Sequence, residues 1–205
     1  LKKIKDVNGI LELVRVFPNN IKVFIDYAHT PDALSKVLQS LESNYSNNIS
    51  LVFGCGGDRD KKKRSLMAKI ADNYCKKIYV TDDNPRNEDP KKIRNEIIKN
   101  INSKKYFNIG NRTEAIKKAI MNSEQNEVVL IAGKGHEEKQ IYKNKFFFTS
   151  DKKIVKNLKL RIKLFPKKLQ NYLQNNLILK KITGNINVNN FEGLAVDSRM
   201  VKKNN

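Results

Sequence analysis

The sequence predicts an α/β protein with a Rossmann-like, doubly wound and mostly parallel sheet, followed by a C-terminal hairpin and a helix. The first observation behind this prediction is that short β-branched and aromatic runs alternate with segments whose apolar residues recur at helical spacing, in the order β-α-β-α-β-α-β-α-β. The second is that the short runs are apolar along most of their length, as in strands covered on both faces.

The first half of the chain contains three predicted strands, at residues 21–26, 49–54 and 77–81, separated by two helices. Pro31 begins the first helix, because proline is favoured in a first helical turn. The apolar residues whose spacing predicts the helices are Leu34, Val37, Leu38 and Leu41 in the first, and Leu66, Met67, Ile70, Ala71 and Tyr74 in the second.

Two further helices are predicted from their capping residues. Asp89 precedes a proline at the first helical position, and Asn111 with Glu114 resembles a capping box. A short strand at residues 105–110 separates these helices. Their buried stripes are Ile93, Ile97, Ile98 and Ile101 in the first, and Ala115, Ile116, Ala119 and Ile120 in the second.

The last strand of the predicted sheet, at residues 127–133, is the most apolar. A hairpin is expected after it, with its turn at Asn144. Asp151 is then predicted to cap a final helix. The apolar residues of that helix are Ile154, Val155 and Leu158.

The balance of charge raises the question of an anionic partner. The 205 residues include 41 Lys and Arg against 21 Asp and Glu, for a formal net charge of +20. Such an excess is typical of basic nucleic-acid-binding modules, which are one alternative for this chain. The lysines are scattered, however, and residues 60–65 (DKKKRS) form the one dense cluster. A lysine-biased surface with no nucleic-acid partner is therefore favoured.

Cysteine use and hydropathy favour a soluble, cytoplasmic protein. Cys55 and Cys75 are isolated and lack CxxC spacing, so neither a disulfide framework nor a zinc site is predicted. No apolar segment approaches the roughly 20 residues that span a bilayer, and the start of the chain has no signal-peptide pattern. We expect a monomeric chain without a membrane partner.

Four predicted strands end in polar segments, which are DYAHTP, GCGGDRD, TDDNPR and AGKGHE. In open parallel sheets, ligands bind outside the carboxyl ends of the strands, so these segments are expected to converge on one crevice. Both histidines of the chain, His29 and His136, lie in them.

Each segment taken alone has an ordinary explanation. Asp26 is placed to cap the helix that follows it, GCGG is compatible with a tight turn, and Asn-Pro turns are common. AGKGHE lacks the spacing and the Ser or Thr of a Walker A loop. The occurrence of all four segments at strand ends is what favours a binding site.

In this order and at this spacing, the four segments resemble the C-terminal domain of the Mur ligases, over about residues 8–160. They are most similar to the ligases that add meso-diaminopimelate to UDP-N-acetylmuramoyl-L-alanyl-D-glutamate in peptidoglycan synthesis, where DNPR is the signature of that substrate. In this reaction ATP phosphorylates the D-glutamate side-chain carboxylate, and the amine attacks the acyl phosphate to give an amide, ADP and phosphate. The resemblance implies that a central domain binds most of the ATP and Mg²⁺, and that this chain holds no catalytic residue and no metal ligand.

The resemblance also implies a site for meso-diaminopimelate. The guanidinium of Arg86 would bind the distal carboxylate as a planar fork. L-Lysine lacks that carboxylate and would leave the arginine unpaired, which is how polar sites reject analogues. The other implied residues are Arg59, Asn84, Pro85 and Asn87 around the substrate, the Gly133 carbonyl and the Glu137 carboxylate on the distal ammonium, and Asp26 and His29 facing the nucleotide.

Domain boundaries follow from the same resemblance. Residues 1–20 would form the junction with a missing central ATPase domain, residues 21–162 the amino-acid-binding domain, and residues 163–168 a linker. The chain starts at Leu1 and is expected to be a fragment that is inactive alone. One departure from the family is Ile10, in GILE, where relatives usually carry arginine.

Residues 169–205 form a short, incomplete α+β tail in this interpretation. The segment ITGNINVNNFEGLAVDSRMV resembles the beginning of a Mur ligase N-terminal domain, so Ser198 would be a uridine-site residue of a second enzyme. The parent protein would then be a bifunctional fusion, with the D-alanyl-D-alanine-adding ligase as the favoured second enzyme. The alternative is a polar C-terminal extension.

Two rival functions stay open at the level of sequence. A folylpolyglutamate synthase-like ligase shares the fold and the acyl-phosphate chemistry but should lack DNPR. A basic nucleic-acid-binding module would bind DNA or RNA with a steep dependence on salt. The Mur ligase interpretation implies small-molecule substrates instead, namely meso-diaminopimelate and a UDP-MurNAc-dipeptide.

Overall fold

Six strands form the central sheet of the protein. The computed structural model describes residues 11–102 and 106–159. Across the sheet the strand order is β1-β2-β6-β3-β4-β5, and all neighbours run parallel except β1, which pairs antiparallel with β2. The strands are β1 (Glu12–Phe17), β2 (Ile21–Asp26), β3 (Ile49–Phe53), β4 (Lys77–Val80), β5 (Tyr106–Asn108) and β6 (Val128–Ala132).

Helices cover both faces of this sheet. α1 (Pro31–Asn44), α2 (Lys62–Tyr74) and α3 (Pro90–Ile98) connect strands that succeed one another in one direction, and they pack side by side. α4 (Arg112–Met121) carries the chain back to β6 and packs with α5 (Asp151–Asn157). Because crossovers are right-handed, this reversal places α4 on the opposite face. The predicted doubly wound α/β fold is confirmed.

A two-stranded hairpin follows the sheet. Its strands β7 (Lys139–Tyr142) and β8 (Lys145–Phe148) pair antiparallel around the predicted turn at Asn144. β7 also contacts the loop after β4, through an isolated bridge between Tyr142 and Arg86. The hairpin therefore joins the carboxyl end of the sheet.

The core lies between the sheet and its helices. Every residue of β3 and β6 is buried, as expected for strands covered on both faces. Leu34, Leu38 and Leu41 of α1 are fully buried, which agrees with the predicted stripe. Burial of one such side chain contributes about 1.5 to 3 kcal/mol before the entropy of ordering it is subtracted.

The predicted cap of the last helix is wrong. Ser150 caps α5, because its hydroxyl accepts from the backbone N of Lys153. Asp151 is buried instead and binds Arg112 bidentately, with Nε to Oδ1 at 2.9 Å and Nη2 to Oδ2 at 2.7 Å. A buried guanidinium requires a paired carboxylate, so this tertiary contact determines the position of Asp151.

The prediction that Leu66 belongs to the buried stripe of α2 is also wrong. Leu66 is 49% exposed, because the helix turns Arg64, Met67 and Ala71 towards the sheet. Arg64 occupies the buried face since Glu88 and Glu96 accept from its guanidinium at 2.8 and 2.7 Å. An ion-paired arginine thus lies on a face that the apolar spacing assigned to leucine.

Residues 1–20, expected from the sequence to form a junction, include β1 at residues 12–17. This strand pairs with the edge of β2 and is irregular between Leu13 and Arg15. The predictions that lie outside the described residues concern Ile10, the domain limit at residue 162, the linker at 163–168, the tail at 169–205 and Ser198.

Candidate functional site

Three of the four strand-end segments meet at Asn84, which follows β4. Its side-chain Nδ2 donates to Oε2 of Glu137, in the segment after β6, at 3.0 Å. Its backbone carbonyl accepts from the N of Gly57, in the segment after β3, at 2.9 Å. Because β6, β3 and β4 are neighbours in the sheet, their carboxyl ends bring these distant residues together.

Arg86 is held at this meeting point by one guanidinium nitrogen. Nη1 donates to the carbonyl of Gly57 at 2.8 Å and to that of Asn84 at 3.3 Å. Gly56 leaves room for the guanidinium, because a Cβ there would lie 2.8 Å from Nη1. Among the described residues no acceptor contacts Nη2 or Nε, so these two nitrogens of the guanidinium are free to bind a ligand.

The β7–β8 hairpin fixes the backbone of the same segment. The N of Arg86 donates to the carbonyl of Ile141 at 3.0 Å, and the N of Lys143 donates to the carbonyl of Arg86 at 2.6 Å. The N of Ile141 also donates to Oδ1 of Asn84 at 3.0 Å. Arg86 has φ of 50°, in the left-handed region, and these hairpin bonds hold it there.

The two aspartates that follow β4 shape the segment. Asp82 pairs with Arg94 of α3 and accepts from the hydroxyl of Tyr142 at 2.9 Å. Burial, together with the negative charge of Asp82, raises the pKa of Tyr142 above its usual value. Asp83 Oδ1 accepts from the N of Asn84 at 2.7 Å. The aspartates thus connect the segment to α3 and the hairpin and set the direction of Asn84.

Lys134 lies beneath the meeting point and is fully buried. Its Nζ lies 3.1 Å from Oε2 of Glu137, 3.4 Å from Oδ1 of Asn84 and 2.6 Å from the carbonyl of Lys139. Sequence reasoning did not select this residue. The signal that was present is a lysine between two glycines directly after the most apolar strand, where a solvated side chain is not expected.

Asp58 organises the outer rim of the site. Its Oδ2 accepts from the side-chain Nδ2 of Asn87 at 2.8 Å, and its carbonyl accepts from Nη1 of Arg59 at 3.2 Å. The N of Asp58 donates to Glu88 Oε1 at 2.7 Å. The guanidinium of Arg64, with smaller help from that backbone bond, lowers the pKa of Glu88 to about 2. Arg59 and Asn87 are both exposed, and both donate to Asp58.

The segment after β2 has a different arrangement. The carboxylate of Asp26 is buried and accepts from the N of Leu11 at 2.5 Å and from the N of Ala28 at 2.6 Å. Burial raises the pKa of Asp26, although both backbone donors oppose the shift. The alternative that Asp26 caps α1 is wrong, because Thr30 does so.

His29, three residues after Asp26, is exposed. Its ring lies 4.6 Å from that of Tyr27, which stacks on His136 at 5.8 Å. Nζ of Lys63, at the start of α2, donates to the carbonyl of His29 at 3.1 Å. Among the described residues, no hydrogen bond links the rings of Tyr27, His29 and His136 to Asn84. The segment after β2 therefore forms a neighbouring surface.

The family profile described as "Mur ligase, glutamate ligase domain" matches residues 11–135. The chain belongs to the Mur ligase family. A protein of Rickettsia montanensis named "UDP-N-acetylmuramoyl-L-alanyl-D-glutamate--2,6-diaminopimelate ligase" is 48% identical over 158 residues, which cover 76% of this chain and 32% of that protein. This Mur ligase chain thus spans about a third of the length of the curated relatives it matches.

Solved structures agree with the family. A structure titled "Structure of UDP-N-acetylmuramoyl-L-alanyl-D-glutamate--2, 6-diaminopimelate ligase" is 37% identical, with a TM-score of 0.68 and coverage of 75% of this Mur ligase chain and 32% of that one. A folylpolyglutamate synthase of Mycobacterium tuberculosis is 22% identical, with a TM-score of 0.51 and coverage of 62% and 30%. The second likeness concerns the fold alone.

The Mur ligase domain brings together only part of the residue set expected from the sequence. Asn84 contacts both Arg86 and Glu137, and Pro85, between Asn84 and Arg86 in the chain, is buried. Gly133 lies at the edge of this group, where a Cβ would be 3.0 Å from Asp83 Oδ2. Besides Lys134, the sequence analysis missed the hairpin contacts, because backbone donors and acceptors leave no signature in side-chain identity.

Residues 11–102 and 106–159 of the Mur ligase chain contain neither a metal-binding cluster nor a helix able to span a membrane. No group of three or more His, Cys, Asp or Glu side chains in these ranges is arranged to hold a metal ion. Within the same ranges no helix combines the length and the apolar character that crossing a bilayer requires. Cys55 and Cys75 are free and buried, and burial raises the pKa of the Cys55 thiol to about 12.

Proposed function

We propose that this chain is the amino-acid-binding domain of an ATP-dependent, ADP-forming ligase that adds meso-diaminopimelate to UDP-N-acetylmuramoyl-L-alanyl-D-glutamate in peptidoglycan synthesis. The observation that carries the proposal is that Arg86 and Glu137 both hydrogen-bond to Asn84. A cationic fork and a carboxylate thus flank one residue. Support also comes from a relative, 48% identical, whose name is that of a ligase for UDP-N-acetylmuramoyl-L-alanyl-D-glutamate and 2,6-diaminopimelate.

The chemistry of meso-diaminopimelate fits this arrangement. The molecule has an amino-acid group at each end, so one end must be held while the amine of the other end reacts. The free nitrogens of the Arg86 fork suit the distal carboxylate. Oε1 of Glu137 and the carbonyl of Gly133 suit the distal ammonium. Arg59 and Asn87 on the rim are proposed to complete the site.

ATP and Mg²⁺ are assigned by the same proposal mainly to polypeptide outside this chain. The family resemblance supports this assignment, together with the coverage of only 32% of a named relative by this chain. ATP would supply the phosphoryl group that activates the carboxylate of the second substrate. Asp26 and His29 are proposed to face the nucleotide. His29 is exposed, whereas the carboxylate of Asp26 is buried and accepts two backbone bonds.

The remaining parts of the proposal rest on the family resemblance. They are a domain covering residues 21–162, a linker at 163–168, and a truncated second Mur ligase domain at 169–205 with Ser198 at a uridine site. The protein is proposed to be cytoplasmic and monomeric, with meso-diaminopimelate and a UDP-MurNAc-dipeptide as small-molecule partners. We propose no nucleic-acid or membrane partner.

Substitution of Arg86 tests the proposed substrate. In the complete polypeptide that carries this chain, Arg86→Ala should lower kcat/KM for meso-diaminopimelate about 100-fold, because the distal carboxylate loses a charged, hydrogen-bonded partner. Arg86→Lys keeps the charge but not the fork, and it should recover only part of the loss. Steady-state kinetics with meso-diaminopimelate and with L-lysine as the amine measure both effects.

Arg15→Ala is the matched control for this test. Arg15 is on β1 and donates to backbone carbonyls near the end of α5, so its loss should leave the ratio of kcat/KM for the two amines unchanged. For Arg86→Ala the ratio should fall by at least about tenfold. A ratio that is the same in Arg86→Ala as in the unmodified enzyme would exclude Arg86 as the carboxylate partner.

A further inference from the structure

Lys134 is a buried cation whose three protons all have acceptors. Its side chain is 0% exposed, and its Nζ contacts a carboxylate oxygen of Glu137, the amide oxygen of Asn84 and the carbonyl of Lys139. An ammonium has three donors and no acceptor, so these contacts use its full capacity. A buried charge is costly unless it is paired and hydrogen-bonded, and this geometry provides both.

The contact with Lys134 fixes which way the Asn84 amide faces. Oδ1 of Asn84 accepts from Lys134 and from the N of Ile141, while Nδ2 donates to Glu137. A rotation of the amide by half a turn would place its NH₂ group against an ammonium and a backbone N–H. All three hydrogen bonds would then be lost.

The same lysine controls how Glu137 presents its carboxylate. Oε2 receives both Lys134 Nζ and Asn84 Nδ2. Among the residues that the structure describes, no donor contacts Oε1, and the Glu137 side chain is 34% exposed. A second cation is disfavoured at Oε2 by the charge of Lys134, so Oε1 is the oxygen left for a ligand.

The backbone before Lys134 is fixed as well. Gly133 has φ of +107°, a conformation that L side chains rarely adopt, and a Cβ there would lie 3.0 Å from Asp83 Oδ2. Because the Lys134 side chain is anchored below the loop, the peptide plane that carries the Gly133 carbonyl has little freedom to turn. Lys134 therefore acts on both acceptors proposed for the distal ammonium.

We infer that Lys134 is a positioning residue for the ammonium end of the amine substrate. It holds Glu137 through Oε2 so that Oε1 and the Gly133 carbonyl are presented to one ammonium, and it fixes the Asn84 amide that donates to the same carboxylate. Lys134 itself does not touch the substrate. This inference rests on the proposed function, since it concerns how that site selects a second ammonium group.

The test uses Lys134→Met, Glu137→Gln and the double variant in the complete polypeptide that carries this chain. Methionine keeps much of the length of the lysine side chain but removes its charge and donors. Lys134→Met should raise KM for meso-diaminopimelate about tenfold, the usual scale for a hydrogen bond to a charged group. KM for ATP should change less than about twofold, because the substitution alters only the contacts to the amine substrate.

The double variant separates positioning from general structural support. If Lys134 works through Glu137, the rise in KM for meso-diaminopimelate in the double variant should be close to that of Glu137→Gln alone. Independent roles would instead give multiplied effects and would overturn the inference. An equal rise in KM for ATP would overturn it too, because a loosened domain affects both substrates.

Lys77→Met is the matched control. Lys77 also pairs with a buried glutamate, Glu127, at 3.1 Å, but it lies at the amino end of β4. Its loss should leave KM for meso-diaminopimelate unchanged.

If Lys134→Met does not fold, Lys134→Gln, which keeps donors, replaces it in the same series. Failure of both variants to fold would assign Lys134 a structural role and overturn the inference. An unmodified enzyme that does not use meso-diaminopimelate would refute the proposed function itself. Turnover of meso-diaminopimelate with multiplied effects of Lys134→Met and Glu137→Gln would refute only the positioning role.

Discussion

Glu127 and Glu137 lie at opposite ends of the same sheet, and each pairs with a lysine. Glu127, at the amino end of β6, is 0% exposed and contacts Lys77 at 3.1 Å. Glu137, after the carboxyl end of β6, is 34% exposed and contacts Lys134, also at 3.1 Å. As ion pairs the two are alike. They differ in how many of their oxygen atoms already have donors.

Both oxygens of Glu127 are occupied. Oε1 accepts from the hydroxyl of Ser50, and Oε2 accepts from Lys77 and from the N of Glu124 at 2.8 Å. This carboxylate links three strands and the turn before β6. In Glu137 the two donors share Oε2, and the described residues leave Oε1 without a donor.

The comparison separates polar groups that complete the fold from groups that remain able to bind. A buried carboxylate whose two oxygens both have donors stabilises the protein but presents no free oxygen to a ligand. A carboxylate that is hydrogen-bonded through one oxygen keeps its orientation, and its other oxygen can still bind a ligand. Arg86 follows the same principle, since Nη1 is occupied and the rest of its fork is free.

The largest expected effect is the loss of stability when Glu127, the carboxylate with donors on both oxygens, is removed. Glu127→Ala should lower the free energy of unfolding by about 3 kcal/mol, because Lys77 and Ser50 lose their buried partner. KM for meso-diaminopimelate should stay within about twofold. Urea unfolding of the variant chain and kinetics of the corresponding complete polypeptide measure the two quantities.

Glu137→Gln is the counterpart. Glutamine keeps an oxygen for Lys134 and Asn84, so the main change is the loss of the free anionic oxygen, and KM for meso-diaminopimelate should rise about tenfold. The comparison fails if Glu127→Ala raises KM as much as Glu137→Gln does.

Substitutions of Gly56 and Gly57 should have effects of intermediate size, one on substrate binding and the other on stability. A Cβ on Gly57 would lie 1.9 Å from the backbone carbonyl of Pro85, so Gly57→Ala should destabilise the chain by about 2 kcal/mol through backbone displacement. A Cβ on Gly56 would lie 2.8 Å from Nη1 at the end of the Arg86 side chain, and not from backbone. Gly56→Ala should therefore raise KM for meso-diaminopimelate about fivefold, with a stability change under about 1 kcal/mol.

Thermal unfolding and amine kinetics on both alanine variants check this prediction, with each glycine serving as the control for the other. The expected pattern is a loss of stability for Gly57→Ala and a change of substrate affinity for Gly56→Ala. The reverse assignment would mean that the guanidinium of Arg86 is not held in the geometry described.

The smallest effect concerns Glu88, an ion-paired carboxylate at the site end of the sheet. Arg64 lowers its pKa to about 2 in the folded state. A depressed pKa contributes stability above the unfolded pKa, near 4.5, and that stability is lost as pH falls from there towards about 2. Glu88→Gln should reduce the acid sensitivity of unfolding over this window.

Urea unfolding of both proteins at pH 7 and pH 3 measures the difference. The unmodified chain should lose more stability than Glu88→Gln between these values. Glu96→Gln is the control, because Glu96 pairs with the same arginine, with its side chain 45% exposed. An equal acid sensitivity of unmodified chain and Glu88→Gln would contradict the role of Arg64.

Much of the fold could be predicted because its elements have local signatures. The apolar runs at 21–26, 49–54 and 127–133 became β2, β3 and β6, with limits that differ by no more than one residue at either end. Asp89 caps α3 by accepting from Lys91 N, and Asn111 caps α4 by accepting from Glu114 N, as expected. Such signals act within a few residues and are visible in the sequence.

The errors arose where a distant residue decided the outcome. Asp151 is diverted from capping by Arg112, which is 39 residues away, and Leu66 is displaced from the buried face by an arginine paired with two glutamates. β1 forms because the edge of β2 is available to it. A pattern confined to one segment cannot report these contacts.

By itself, the sequence determined the alternation of strands and helices and the position of the polar segments at the strand ends, because both depend on short-range spacing. It also determined that Asn84 and Arg86 share one segment. Only the tertiary structure decided that Lys134 is buried against Glu137 and Asn84, and that one oxygen of Glu137 and part of the Arg86 fork keep free capacity. Hydrogen bonds between segments 50 residues apart determine which donors and acceptors are used.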